Sequence, residues 1–518
     1  MRLTIAKSRA SFREFLLTWA LRVATALGCL SFLYYLSWLF EKDEALGDRW
    51  RSPLLLVLMI LAVIYGSVQL LGNWYLYLVA RRPKITPTSI PNLSVDVFVT
   101  ACGEPYDLVE RALKAACAMR GNHMTWLLDD GADEQFARLA ESLGAGYLTR
   151  QDHLNAKAGN INAALAKTNG DIIVIFDIDH APKPDFLEKT VGYFSDPKIG
   201  FVQVMLTFAN VQESWVADAA IETSLEYYNP TSLGSYGVGG ATLMGSNALI
   251  RRAALESIGG YQPGLAEDLA TSISLHAAGW KSVYVAEPLA PGIAPPTFEA
   301  WFVQQLKWAR GVFELLVTRY PKLFTRLTWG QRLAYLVRMT KYWIGPAVAI
   351  HLFATIGILI FGDAPVRGAF HSYLIHIAPL VGCDAVIRYL GLYKWRHQTI
   401  QRTSLMRAVV LVYATWPIYL SAWLMALFRV PLGFKPTPKS LDGRLSPIWL
   451  APQLIAVVLL IVGLLYTVAV KDHRPSLLLL FAILQGGLQS IFLARWMSAD
   501  LIYWQSKRAH NNKMAMNK

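Results

Sequence analysis

Hydrophobic positions divide this chain into three blocks. Two long apolar runs, 15–40 and 53–80, open it, the first broken only by Arg22, and each exceeds the roughly 20 residues a helix needs to cross the hydrocarbon core of a bilayer. Between about 92 and 300 the apolar residues come in short β-branched runs, 95–100, 125–128 and 172–176, separated by stretches of helical period. That alternation predicts an α/β domain with a mostly parallel sheet covered by helices. Long apolar runs then return at 334–361, 373–393, 408–428, 448–470 and 477–504.

Flanking charge orients these runs. Arg2, Lys7, Arg9 and Arg13 precede the first, Glu41, Asp43, Glu44 and Asp48 fill the connection, and Arg81, Arg82 and Lys84 follow the second, so both outer flanks are expected to be cytosolic. The first run is too long for the apolar part of a signal peptide and has no small-residue cleavage site behind it, which predicts a retained anchor. Run 408–428 is basic at both ends, with Lys394, Arg396, Arg402 and Arg407 before it and Arg429, Lys435 and Lys439 after it. If it spanned, one basic cluster would lie outside, so an interfacial or re-entrant helix is expected there, leaving six spans with both termini inside.

The expected organisation is therefore two transmembrane helices in 1–84, a cytosolic α/β domain in 92–300, interfacial helices in 301–333 and two transmembrane helices in 334–393. An interfacial helix and loop in 405–446, two transmembrane helices in 447–504 and a loose basic tail in 505–518 complete it.

Composition agrees with a lipid bilayer as partner: 54% of residues are apolar and 16% charged, against about 25% charged in ordinary soluble proteins. The net charge of +13 is accounted for by basic residues beside apolar runs, which argues against nucleic acid. Four cysteines without a CxxC pattern give neither a zinc site nor a disulfide framework. A transporter is disfavoured because the apolar runs show no repeated halves.

Ligands of open α/β sheets bind beyond the carboxyl ends of the strands. Asp129 and Asp130 end one predicted strand, and Asp177 and Asp179 end another. Two carboxylates spaced as Asp-x-Asp on such a segment can share a hard cation with diphosphate oxygens, although a turn or helix cap would use the same residues. Lys157, among small residues before a helix, suits a phosphate. Glu267 and Asp268 open an amphipathic segment, where helix capping is the plainer reading. Gln304, Lys307 and Trp308 lie at the membrane edge, where Trp and Lys also serve as interfacial anchors.

Taken in order, these pieces resemble the membrane-embedded processive synthases of the family-2 glycosyltransferases, most closely the bacterial cellulose synthase catalytic subunit. The resemblance covers 96–439 through Asp129-Asp130-Gly131, Ala156-Lys157-Ala158-Gly159-Asn160, Asp177-Ile178-Asp179-His180, Gly245-Ser246, Glu267-Asp268, His276 with Gly279-Trp280-Lys281-Ser282, Gln304 through Trp308, and Phe434 through Lys439. The last piece is similar to the FxVTxK gating loop. The resemblance implies a GT-A fold and an inverting transferase that builds a β-glucan, cellulose or mixed-linkage, from a UDP-sugar, most simply UDP-glucose. Its further partners would be the growing polysaccharide and the inner membrane, with room for a periplasmic accessory subunit, and its cofactor Mg2+ or Mn2+. It assigns the base to Asp268 beside Glu267, metal to Asp179 and Asp177, and uridine to Asp129 or Asp130. Phosphate contacts fall to Lys157, Lys307, Thr437 and Lys439, and the acceptor sugar to Trp308 beside Gln304. Tyr342, Trp343, Trp416 and Tyr419 are candidate channel aromatics, though aromatic residues are common at membrane interfaces.

The sequence departs from the family at four points: Ala266 for the threonine of TED, Lys307 for the arginine of QxxRW, Met244 for the cysteine of FCGS, and Pro436 for the valine of FxVTxK. Lysine keeps the charge but lacks the bidentate guanidinium fork. No cyclic-di-GMP-sensing domain is expected after the last apolar run. A non-processive glycolipid transferase and a chitin- or hyaluronan-like synthase remain the alternatives; the former would need neither Trp308 nor the loop at 434–439.

Overall fold

A computed structural model describes residues 2–40, 53–84, 92–361, 370–398, 400, 405–433, 437–439, 445–470 and 477–516. The chain begins with helices α1 (Arg2–Leu39) and α2 (Pro53–Val79). The α/β domain follows, with strands β1 (Val95–Ala101), β2 (Met124–Asp129), β3 (Gly146–Leu148), β4 (Ile172–Asp177), β5 (Ile199–Val204), β6 (Thr207–Phe208), β7 (Ala248–Arg251), β8 (Lys281–Val285) and β9 (Pro291–Gly292). Helices α3 (Tyr106–Cys117), α4 (Glu134–Ser142), α5 (Ala156–Leu165), α6 (Trp215–Glu226), α7 (Ser232–Gly237), α8 (Arg252–Glu256) and α9 (Glu267–Ala277) connect them.

Seven strands form one sheet in the order β3-β2-β1-β4-β7-β5-β8, and β6 pairs with β9 alone. Only β7 runs antiparallel to its neighbours, β4 and β5. The β-branched stretch of β4 is buried on both faces: Ile172, Val174 and Phe176 join one core layer, Ile173 and Ile175 the other. This is why a central strand covered on both faces reads as a continuous apolar run. Register then places the chemistry, because Thr100 and Ala101 at the end of β1 lie beside Asp177 of β4 and Asp129 of β2.

Beyond the domain lie α10 (Phe298–Leu323), α11 (Trp329–Thr340), α12 (Ile344–Phe361), α13 (Phe370–Trp395), α14 (Met406–Ala414), α15 (Trp416–Leu427), α16 (Ala451–Val470) and α17 (Leu477–Met516). Among the described residues, five stretches are long and apolar enough to cross a membrane: Phe12–Leu39, Trp329–Phe361, Ser372–Trp395, Pro447–Ala469 and Leu478–Ala499. The 27-residue α2 is also long enough by itself. The chain is thus a multi-pass membrane protein.

The run at 408–428 is not one helix. It divides into α14 and α15, bent by 43° at Thr415, where Pro417 supplies no N–H to the helix before it. Neither half approaches the roughly 20 residues of a span. Arg407 anchors α14 to α6 of the α/β domain: its Nη1 lies 2.5 Å from Asp218 Oδ2 and its Nε donates to Glu222 Oε1 at 2.8 Å. These contacts favour the interfacial position expected from charge. The tail expected to be loose instead continues α17 to Met516, since nothing after Gly487 interrupts the helix with Gly or Pro.

Candidate active site

The carboxyl edge of the sheet gathers four carboxylates and three lysines from widely separated segments. Asp177 ends β4, and its Oδ1 pairs with Lys157 Nζ from the first turn of α5. Lys157 Nζ also donates to the Gly245 carbonyl at 2.6 Å. Gly245 turns the chain there at φ +86°, a conformation that disfavours a side chain. Burial alone would favour the neutral amine of Lys157, yet Asp177, Glu267 and Asp268 together outweigh it and raise its pKa.

Asp179 is buried just past β4. Its Oδ2 accepts from Lys439 Nζ at 2.8 Å and from Ile293 N, beside β9, at 3.2 Å. Burial raises its pKa, but Lys439 above all, with His180, more than offsets this and holds the carboxyl well below its ordinary range. Among the described residues no three His, Cys, Asp or Glu side chains converge as a metal cage. A hard cation carried on a diphosphate needs only one or two protein carboxylates, and Asp179 is an ionised oxygen donor already holding a cation, so the residues fit such an ion.

Glu267 and Asp268 open α9. Neither caps it conventionally, because the N-cap is Ala266 and receives no side-chain hydrogen bond. Asp268 Oδ1 instead accepts from Leu269 N at 2.7 Å, and Oδ2 faces Arg338 of α11 at 3.9 Å. Burial first, and the Glu267 carboxylate second, push Asp268 up to about 7. Burial also raises Glu267, with Lys157 opposing. A carboxyl poised near neutrality can take up a proton during a reaction and give it back.

Helix α10 carries Gln304, Lys307 and Trp308. It approaches α9 at Gly311, where an added Cβ would lie 2.7 Å from Ala266 N, so glycine there permits the close packing that brings Lys307 to Glu267. Burial lowers the pKa of Lys307, with Glu267 and Asp177 acting against the shift. Trp308 keeps 37% of its surface exposed. The neighbouring Gln305 is buried and accepts from Tyr419 OH of α15 at 2.9 Å, joining the helix to the interfacial pair.

Asp129 and Asp130 have protein partners of their own. Asp129 is fully buried and accepts from Gly131 N and Asp133 N at 2.8 Å and from Tyr147 OH at 2.9 Å, which shapes the loop. Asp130 forms a two-pronged pair with Arg150, at 2.6 and 2.8 Å. Sequence reading missed Arg150, and also Arg338, which lies 70 positions from Asp268 and carries no motif. Thr437 is half-buried, and Phe434 through Pro436 fall outside the described residues. Of the candidate channel aromatics, Trp416 and Tyr419 are buried in helix packing, while Tyr342 and Trp343 are partly exposed.

Residues 91–311 match the family described as glycosyltransferase like family 2, and residues 256–377 match cellulose synthase. Cellulose synthase 1 of Komagataeibacter xylinus is 30% identical over 359 residues, covering 67% of this chain and 23% of that protein. The UDP-forming cellulose synthase catalytic subunit of Pseudomonas fluorescens is 31% identical over 331 residues, 62% of this chain and 44% of the relative. The chain thus spans less than half the length of these relatives. A mannosyltransferase from Pyrobaculum calidifontis, solved with GDP-Man and Mn2+, superposes with a TM-score of 0.51 at 17% identity, over 73% of this chain and all of that one. That likeness concerns the fold. Matched segments, sheet and edge chemistry together make residues 91–311 a family-2 glycosyltransferase domain built on a GT-A fold, with the cellulose synthase match carrying on through residue 377.

Proposed function

We propose that this protein is an inverting, processive hexosyltransferase that polymerises a UDP-sugar, most simply UDP-glucose, into a β-glucan and passes it across the inner membrane, with the α/β domain in the cytosol. The observation that carries this reading is Asp268: a largely buried carboxyl poised near neutrality, beside a lysine-lined carboxylate cluster at the carboxyl edge of the sheet. The Pseudomonas fluorescens relative is a UDP-forming cellulose synthase catalytic subunit, which supports the donor and the product class.

Inversion needs one in-line displacement, with a base for the acceptor hydroxyl and countercharge for the departing diphosphate. Asp268 takes the hydroxyl proton as the acceptor oxygen attacks the anomeric carbon. Lys157 and Lys307, now balanced by Asp177 and Glu267, turn to the diphosphate when it arrives. Asp179, with Asp177, would hold Mg2+ or Mn2+, which supplies positive charge to the diphosphate oxygens. Asp129 or Asp130 would hold the uridine, Asp130 from its pair with Arg150 and Asp129 from the loop it shapes. Trp308 offers a partly exposed aromatic face for the acceptor sugar, and Thr437 and Lys439 meet the diphosphate from the loop. A periplasmic accessory subunit is compatible with this reading.

The test is polymer synthesis by the purified protein in nanodiscs from a panel of UDP-sugars, with linkage analysis of the product. A β-linked glucan made from UDP-glucose, and lost in Asp268→Asn while UDP binding persists, is the expected result. Transfer of a single sugar to lipid would replace this reading with the glycolipid alternative.

A further inference from the structure

The base has a neighbour that none of the matched motifs contains. Arg338 Nη2 lies 3.9 Å from Asp268 Oδ2, and the two side chains keep only 19% and 18% of their surface exposed. Because Leu269 N occupies Oδ1, the oxygen facing Arg338 is the one left for proton transfer.

Arg338 is itself held in place. Its guanidinium lies over the Tyr227 ring, 4.9 Å from the centroid, and Lys341 Nζ lies 5.2 Å from the same ring. Helix α11 is fixed at its start by a capping box between Thr328 and Gln331. It is fixed to α2 by Gln69 Nε2, which donates to Val337 O at 2.9 Å and to Thr340 Oγ1 at 2.7 Å. Arg338 Nε is buried without a hydrogen-bond partner. A buried donor left unpaired is costly, so a fixed guanidinium in this state is set up to receive an oxygen.

We propose that Arg338 is a positioning residue for sugar transfer, whose guanidinium turns Asp268 Oδ2 toward the acceptor and serves as the counter-cation of the base. The inference rests on Asp268 being the base. The other groups around Asp268 do not perform this task. Glu267 from its own turn and Asp177 from β4 are carboxylates, and Lys157 from α5, whose charge does act to lower Asp268, is held by Asp177 and the Gly245 carbonyl and so does not orient Oδ2. Tyr228 of the turn after α6, Tyr261 before α9, Tyr335 of α11 and Tyr342 after it are phenols.

The test compares Arg338→Gln and Arg338→Lys with the native full-length protein in nanodiscs, following UDP release during polymer synthesis from about pH 5 to 9. The acid limb of kcat should move upward by at least about one pH unit in Arg338→Gln, the lower end of what a charge at this distance does to a carboxylate. It should return to the native position in Arg338→Lys, with kcat still lowered because lysine lacks the planar fork. The affinity for UDP should be unchanged in both. An unmoved limb in folded Arg338→Gln overturns the inference. If that variant does not fold, Arg338→Lys decides: a native limb with lowered kcat supports the role, and native kcat or a displaced limb overturns it. The reading of Asp268 fails separately, through wild-type turnover in Asp268→Asn.

Discussion

Lys439 Nζ lies 2.8 Å from Asp179 Oδ2, so the carboxylate assigned to the divalent cation already holds a cation from a segment 260 positions away. A metal entering without nucleotide has to displace this ammonium. Lys439→Gln is therefore expected to bind Mn2+ more tightly in the absence of UDP, roughly tenfold, because a charge-assisted hydrogen bond is worth about 1.5–3 kcal/mol. Transfer should fall in the same variant, since the loop loses its cation for the diphosphate. Electron paramagnetic resonance of free Mn2+ checks the first part, with Asp179→Asn as the control that loses binding. Equal Mn2+ affinity in native and Lys439→Gln protein would show that the ion pair is idle.

Asp268 makes a pH-dependent prediction with two readouts. The base works as a carboxylate, so kcat should fall as pH drops through about 7, the value to which burial and Glu267 raise the group. The same shift bears on stability. A carboxyl with a folded pKa above its unfolded value of about 3.9 binds more protons when folded, so its ionisation opposes folding increasingly from about pH 4 to 7 and fully above. Asp268→Asn should accordingly raise Tm most at pH 8, less at pH 5, where only the unfolded chain is ionised, and leave it nearly unchanged below about pH 4, where the group is neutral in both states. A variant less stable than native at pH 8 would contradict the assignment of a raised pKa.

The sequence made legible whatever depends on local pattern. The β-branched runs at 95–100 and 172–176 became β1 and β4, and the strand-end rule placed Asp177 and Asp179 at the edge of the sheet. The basic residues at both ends of 408–428 pointed to an interfacial segment, and Pro417 was a visible signal for the break that the chain shows. What stayed hidden were pairings between distant residues: Arg150 with Asp130, Arg338 with Asp268, Lys439 with Asp179, and Arg407 with Asp218 and Glu222. Arg407 looked like an ordinary cytosolic flank, because a positive-inside residue and an ion-pairing residue carry the same charge. Register and packing decide such pairs, and periodicity contains neither.

Lys307 replaces the family's arginine on α10, and its pKa is lowered by burial. Removing the cation in Lys307→Met should cost about 10² to 10³ in kcat, the usual loss for one electrostatic donor to developing charge. Lys307→Arg restores a planar fork at a position where Gly311 has already brought α10 close to α9. We expect it to retain at least native kcat with a lower KM for the UDP-sugar. Steady-state kinetics on both variants separates the roles. Native kinetics in Lys307→Met would remove this lysine from the leaving-group site.

The topology and the processive reading meet at the segment after α15. If α14 and α15 lie at the interface, the chain beyond them remains on the side of the α/β domain, as the Lys439–Asp179 contact requires. If the bent pair crossed the bilayer, Lys439 would be carried to the opposite face and could not reach the sheet edge. The measurement is labelling of Ser440→Cys, one position past Lys439 and outside the described residues, by an impermeant maleimide in sealed vesicles of known orientation. Label should enter only from the face that carries the α/β domain. It should enter more slowly with UDP and Mg2+ present, because a loop engaged with the diphosphate is shielded. Pro436 and Pro438 each lack a backbone N–H and have φ fixed by the ring, so the segment is expected to move as a stiff unit rather than refold as a helix. Labelling from the opposite face would overturn the interfacial position of α14 and α15 and remove Thr437 and Lys439 from the diphosphate site together.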